Sequence, residues 1–112
     1  MSEATKHDGG KPTFHLLPWA TLAEVNKVLE FGTVKYEVND WRKGFKYVRL
    51  FNACFRHMTS WLLGEDKDPE TGLSHVAHAI CCLLFLLTYI LEGRGEESIC
   101  QDLEGLDDRP KI

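Results

Sequence analysis

Apolar side chains recur along the chain at helical spacing in three stretches. Across residues 18–37, PWATLAEVNKVLEFGTVKYE, positions Leu22, Val25, Val28 and Leu29 share one face, while Glu24, Lys27 and Glu30 fall elsewhere. Gly32 weakens the middle of this predicted helix and permits another helix to approach closely. Across residues 47–63, the expected buried side carries Phe51, Cys54, Phe55, Met58 and Leu62. Arg49, Asn52, Arg56 and Thr59 form a polar stripe on the other side. The third stretch, residues 73–91, is apolar nearly all round, with His75, His78 and Cys82 along one line. No segment alternates in the manner of a strand. The pattern predicts an all-α fold of three principal helices. In so short a chain, burial of the third helix calls for a second subunit, so oligomerisation is expected to complete the bundle.

The flanks read differently. Residues 1–17 form a polar N-terminal arm in which Gly9, Gly10 and Pro12 oppose regular structure. The helical domain is expected over 18–92, with VNDWRKGFK as its first loop. An acidic tail follows over 93–112, with one short helix expected around 96–103.

Composition narrows the partners. A chain of 112 residues is one domain, and 44% hydrophobic with 27% charged residues is ordinary for a globular protein. Residues 1–91 hold ten acidic and ten basic side chains, so the net charge of −4 resides entirely in the stretch from Glu92 onward. A neutral body with an acidic tail is a poor ligand for duplex nucleic acid, which requires clustered Lys and Arg. Adjacent Cys81 and Cys82 point in different directions on a helix and do not make a disulfide framework. Without a secretory leader, the expectation is a reduced, cytoplasmic protein. The run VAHAICCLLFLLTYIL falls short of the about 20 residues of a membrane span, so no membrane association is expected.

Candidate chemistry gathers in GEDKDPETGLSHVAH, residues 64–78. Glu65, Asp66, Asp68 and Glu70 are hard oxygen donors of the kind Mg²⁺, Mn²⁺ and Ca²⁺ prefer. The EF-hand pattern fails, because its glycine falls on Thr71 and its final glutamate on Ala77. His75 and His78 can face one site, although no zinc motif accompanies them. A simpler reading makes Asp68 the cap of a short turn, Pro69 its first residue and the acids solvated. If the second and third helices form an antiparallel hairpin, Arg56, His57, His75 and His78 line one pocket suited to phosphate and metal.

Lys35, Tyr36, Asn39 and Trp41 could address a base at the end of the first helix, by stacking and by hydrogen bonds to its edge. Trp41 could equally plug the end of the bundle. Lys11, in HDGGKP, is placed to close the arm over phosphates; GxxxxGK[ST] does not occur.

Together, DGGKP…LLP, EVNKVLEFGTVKY…NDW, RH and GEDKDPETGLSHVAHA resemble the short, commonly virus-encoded dATP/dGTP diphosphohydrolase family, which is related to the MazG-like all-α pyrophosphohydrolases. The resemblance implies a dimeric or tetrameric enzyme in the host cytoplasm. It would convert a purine deoxynucleoside triphosphate to monophosphate and pyrophosphate with Mg²⁺ or Mn²⁺. MazG-like enzymes hold metal with E-x-x-E and E-x-x-D pairs, whereas this chain has Arg56-His57 and His75-x-x-His78. The metal role therefore passes to Glu65, Asp66, Asp68, His75 and His78, with Glu24 a further acid, and the catalytic role to Glu65, Asp66 and His78. Lys11, Lys35, Tyr36, Asn39, Trp41, Arg56 and His57 would bind the nucleotide. Two alternatives stay open. One is a binding protein that sequesters a signalling nucleotide without cleaving it, and the other is a protein-interaction role.

Overall fold

The structure is a computed structural model that describes residues 2–94 together with 107, 109 and 110. It is helical: α1 spans Trp19–Lys35, α2 Tyr47–Leu62 and α3 His75–Leu91. Short 3-10 turns occupy Phe14–Leu16 and Asp40–Lys43. Among the described residues the one extended pairing is an isolated bridge between Lys67 and Ser74. The short helix expected near residues 96–103 lies outside the described residues.

Each helix begins and ends where local chemistry directs. Ser74 caps α3, its side-chain oxygen accepting from the backbone N–H groups of Val76 (3.1 Å) and Ala77 (3.3 Å). Past the other end of α3, Gly93 takes a positive φ of 70°, a conformation cheap only for glycine. Beyond α1 the chain turns through Asn39 at φ 62°, one of the few residue types that tolerates the left-handed region.

The third helix is the centre of the packing, since both α1 and α2 lie against it. Its small buried residues Ala77, Ala79 and Cys81 allow neighbours to approach closely, and Val25 is the buried contribution of α1. An aromatic cluster closes the C-terminal end of α3. Tyr89 has no exposed surface and, with Leu50, anchors Trp41, Phe45, Tyr47, Phe85 and Leu86. Trp41 stacks on Phe85 with centroids 4.5 Å apart, and Tyr47 stacks on Tyr89 at 6.4 Å. Such pairs contribute about 0.5–1.5 kcal/mol beyond their area. Arg94 holds the neighbouring loop, donating to the carbonyls of Arg42 and Lys43 at 2.8 Å each.

Two expectations need correction. Phe51, Phe55, Met58 and Leu62 are not buried; they are 68%, 63%, 40% and 75% exposed. Instead α2 turns Leu50 and His57 inward, because His57 finds polar partners on α3 and the following loop. Helical spacing identifies an apolar stripe but does not say whether the chain itself covers it. Gly32, for its part, mediates no close approach: a side chain there would meet nothing within 4 Å.

Candidate active site

The loop between α2 and α3 is tied to itself. The Asp68 N–H donates to the Leu73 carbonyl at 2.8 Å, the Gly72 N–H to the Asp68 carbonyl at 2.7 Å, and the His75 N–H to the Asp66 carbonyl at 3.0 Å. Gly64 and Gly72 supply the positive φ values of 102° and 72° that the path needs. Asp68 Oδ1 accepts from the Glu70 N–H at 2.7 Å, so the expected aspartate-led turn is present. The loop is thus a built support, and the other Asp68 oxygen is directed toward α2, 3.8 Å from His57 Nδ1.

Three histidines meet on this support. His57 and His75 approach through their Nδ1 atoms at 2.9 Å, and His75 Nε2 lies 2.7 Å from Glu65 Oε1. The His57 and His78 rings are stacked nearly parallel, with centroids 4.5 Å apart. His78 Nε2 bonds Thr71 Oγ1 at 2.7 Å, and the same oxygen accepts from the Leu73 N–H. Burial, chiefly, lowers the pKa values of both His57 and His78, opposed by the Asp68 charge. The imidazoles are therefore held neutral near pH 7, the form that can ligate a metal or accept a proton.

His57, Asp68 and His78 place ligand atoms within 4.8 Å of one another. The same three residues form one wall of a cavity of about 560 Å³, within the size range of small-molecule sites. The facing wall comes from the end of α1 and the loop after it, including Lys35, Tyr36, Asn39 and Trp41. Lys35 bridges the walls through a 2.9 Å ion pair to Glu70, which raises the lysine pKa through that hydrogen bond and charge.

The sequence-derived residues thus divide. Lys35, Tyr36, Asn39, Trp41, His57, Asp68 and His78 share the cavity. Glu65 and His75 lie behind it, connected through His57. Asp66 contributes its backbone carbonyl to the His75 N–H, and its carboxylate is exposed. Arg56 is on the exposed side of α2, its charge acting on His57 and Cys82. Lys11 sits in the exposed arm, in a turn closed by its N–H to the Asp8 carbonyl at 3.0 Å, outside the cavity lining. Trp41 fulfils the alternative expectation by packing on Phe85 while still lining the cavity, with the Arg42 guanidinium 4.5 Å from its ring.

Sequence reasoning passed over Thr71, Phe85 and Cys82 as cavity residues. Cys82 follows His75 and His78 on the same stripe, which was the available signal. Thr71 gave none, because its bond to His78 depends on the loop path.

Fold and cavity together define a small helical protein with a mixed polar and aromatic pocket beside an imidazole–carboxylate cluster. The chain belongs to the dATP/dGTP diphosphohydrolase N-terminal family, whose sequence pattern matches residues 1–99. It is also similar to a protein of Salmonella phage PMBT28 named dATP/dGTP diphosphohydrolase, at 38% identity over 89 residues, covering 80% of this chain. The chain spans only 30% of that relative's length. No solved structure matches it.

Proposed function

We propose that the cavity binds a purine deoxynucleoside triphosphate and hydrolyses it to monophosphate and pyrophosphate with a divalent cation, Mg²⁺ or Mn²⁺. One observation carries the reading: Lys35, Tyr36, Asn39 and Trp41 line the same cavity as the imidazole–carboxylate cluster of His57, Asp68 and His78. Family membership and the phage relative's name support the substrate class.

Each residue has a task set by its chemistry. Tyr36 is 58% exposed, with Lys35 Nζ 5.6 Å from its ring centroid, and offers its open ring surface to a base. Asn39 offers an amide to the base edge. Lys35 exchanges Glu70 for a phosphate oxygen, an inexpensive step because the pair is solvent-exposed. His57 and His78, kept neutral by burial, are available as nitrogen donors. Asp68 and the two imidazoles are the donors that would hold the cation, and they suit Mn²⁺ better than oxygen-seeking Mg²⁺. When bound, the cation supplies Lewis acidity toward phosphate and water.

We further propose that a second copy covers the open apolar side of α2. Incubation with dATP and dGTP, with Mn²⁺ and again with chelator, tests the enzymatic reading. Pyrophosphate and deoxynucleoside monophosphate should form only with the metal. Intact triphosphate recovered from the folded protein under both conditions contradicts it.

A further inference from the structure

We propose that His57, Asp68 and His78 form a site selective for a first-row transition ion over Mg²⁺, with His75 and Glu65 as positioning residues behind His57. The inference refines the metal requirement of the proposed hydrolysis and rests on that reading for its catalytic meaning. The binding itself is measurable without turnover.

The donor set comes first. Two imidazoles and one carboxylate, one from α2, one from the loop and one from α3, lie together with ligand atoms within 4.8 Å. Mg²⁺ demands oxygen donors and sheds water reluctantly, whereas Mn²⁺, Fe²⁺, Co²⁺ and Zn²⁺ accept imidazole nitrogen readily. A set with two nitrogens in three donors therefore discriminates by chemistry, before any question of fit. The in-plane lone pairs of two nearly parallel rings do not converge on one point, so binding must tilt one ring and break the His57–His78 stack.

Each donor is also backed by a partner. Ligating histidines ordinarily engage their other nitrogen with a fixed partner, which sets tautomer and orientation. Each donor here has one: His75 behind His57, Thr71 behind His78, and the Glu70 N–H on Asp68. The chain behind His57 is directional. A carboxylate only accepts, so the 2.7 Å contact with Glu65 places a proton on His75 Nε2. Across the 2.9 Å between the two Nδ1 atoms one ring donates and the other accepts, which orients His57 against His75. Buried His75, 4% exposed, can hold this arrangement because its own partner fixes it. Glu65 and His75, both expected from sequence to be ligands, thus become supports, and Asp66 has no part.

The test is titration of the full chain with Co²⁺ alone, following the visible d–d absorbance, with Mg²⁺ as competitor and circular dichroism as a check on folding. The wild-type protein should develop the spectrum of a mixed nitrogen and oxygen site, undisturbed by a large excess of Mg²⁺. His57→Ala and His78→Ala should abolish it, Glu65→Gln should weaken affinity by about 10–100-fold, and Asp66→Asn should leave it unchanged. A wild-type spectrum that stays that of aqueous Co²⁺ overturns the proposal, as does displacement by equimolar Mg²⁺. Loss of binding in Asp66→Asn, with the folded His57→Ala and His78→Ala proteins still binding, also overturns it. Hydrolysis supported by Mg²⁺ without Co²⁺ binding removes this site and spares the enzymatic reading. Tight Co²⁺ binding without hydrolysis does the reverse.

Discussion

The hydroxyl of Tyr89, near the C-terminal end of α3, donates to the backbone carbonyl of Trp41, 48 residues earlier in the chain. The bond fastens the loop after α1 to the central helix, and that loop carries one wall of the cavity. Fold stability and pocket shape therefore depend on the same contact. Tyr89→Phe keeps the ring and its stacking on Tyr47 but leaves the Trp41 carbonyl without this donor. A loss of about 1–2 kcal/mol in urea unfolding is expected, together with weaker nucleotide binding. Unchanged stability would show that the ring alone fastens the loop.

Ser74 begins α3 with two backbone N–H groups on its side-chain oxygen. Replacing it with alanine should lower stability by about 1 kcal/mol, shifting the denaturation midpoint while leaving the slope unaltered. Restoration by Ser74→Asp distinguishes capping from a packing effect.

Burial pushes the Cys81 thiol up to about 12 and the Cys82 thiol up to about 11, from an ordinary value of 9.0. Because the folded-state values are raised, the associated stability is fully present below the unfolded value near pH 9. It is lost as pH rises through the folded values toward 11–12. Stability should decline across that window, and less so in Cys81→Ala. Thiol reagents at pH 8 should label both cysteines slowly until urea is added. Rapid labelling of Cys81 itself in the folded protein at pH 8 would contradict its buried placement.

Much of the fold is legible in the sequence, and the reasons are specific. The α3 segment declares itself through a run that is apolar apart from His78 and Thr88, and its observed start at His75 differs by two residues from the expected Leu73. The Lys35–Trp41 side of the pocket was readable because its members are neighbours in sequence. The rotation of α2 was not, since Phe51, Phe55, Met58 and Leu62 offer the stronger apolar stripe and yet face outward. His57 reaches His75 across 18 positions, a contact that no spacing rule announces. The acids of the loop separated for the same kind of reason. Turns at Asp68 and Gly72 direct Asp68 toward His57, send Glu65 to His75 and leave Asp66 outside.

The open stripe on α2 predicts self-association. Phe51 and Phe55 stack on each other at 6.3 Å, and spacings of four, three and four through Met58 and Leu62 suit a seam between helices. Phe55→Glu should convert a dimer or larger species to monomer in sedimentation, with helical content retained. A wild-type protein that sediments as a monomer at high concentration would contradict this.

Lys35→Ala removes a phosphate contact and an exposed ion pair. The melting temperature should barely move, because such pairs contribute little, while KM for the triphosphate rises by about tenfold, in keeping with a charge-assisted hydrogen bond. A fall in kcat at constant KM would instead place the lysine at the transition state.

The most direct measurement is phosphorus NMR of dGTP or dATP incubated with the folded protein and Mg²⁺ or Mn²⁺, the paramagnetic Mn²⁺ being removed before the spectrum is taken. Replacement of the triphosphate signals by those of monophosphate and pyrophosphate, prevented by chelator, is the predicted result. Triphosphate signals that broaden on binding but persist unchanged, with every ion and with the complete metal-loaded protein, would contradict hydrolysis and leave a nucleotide-binding site in its place.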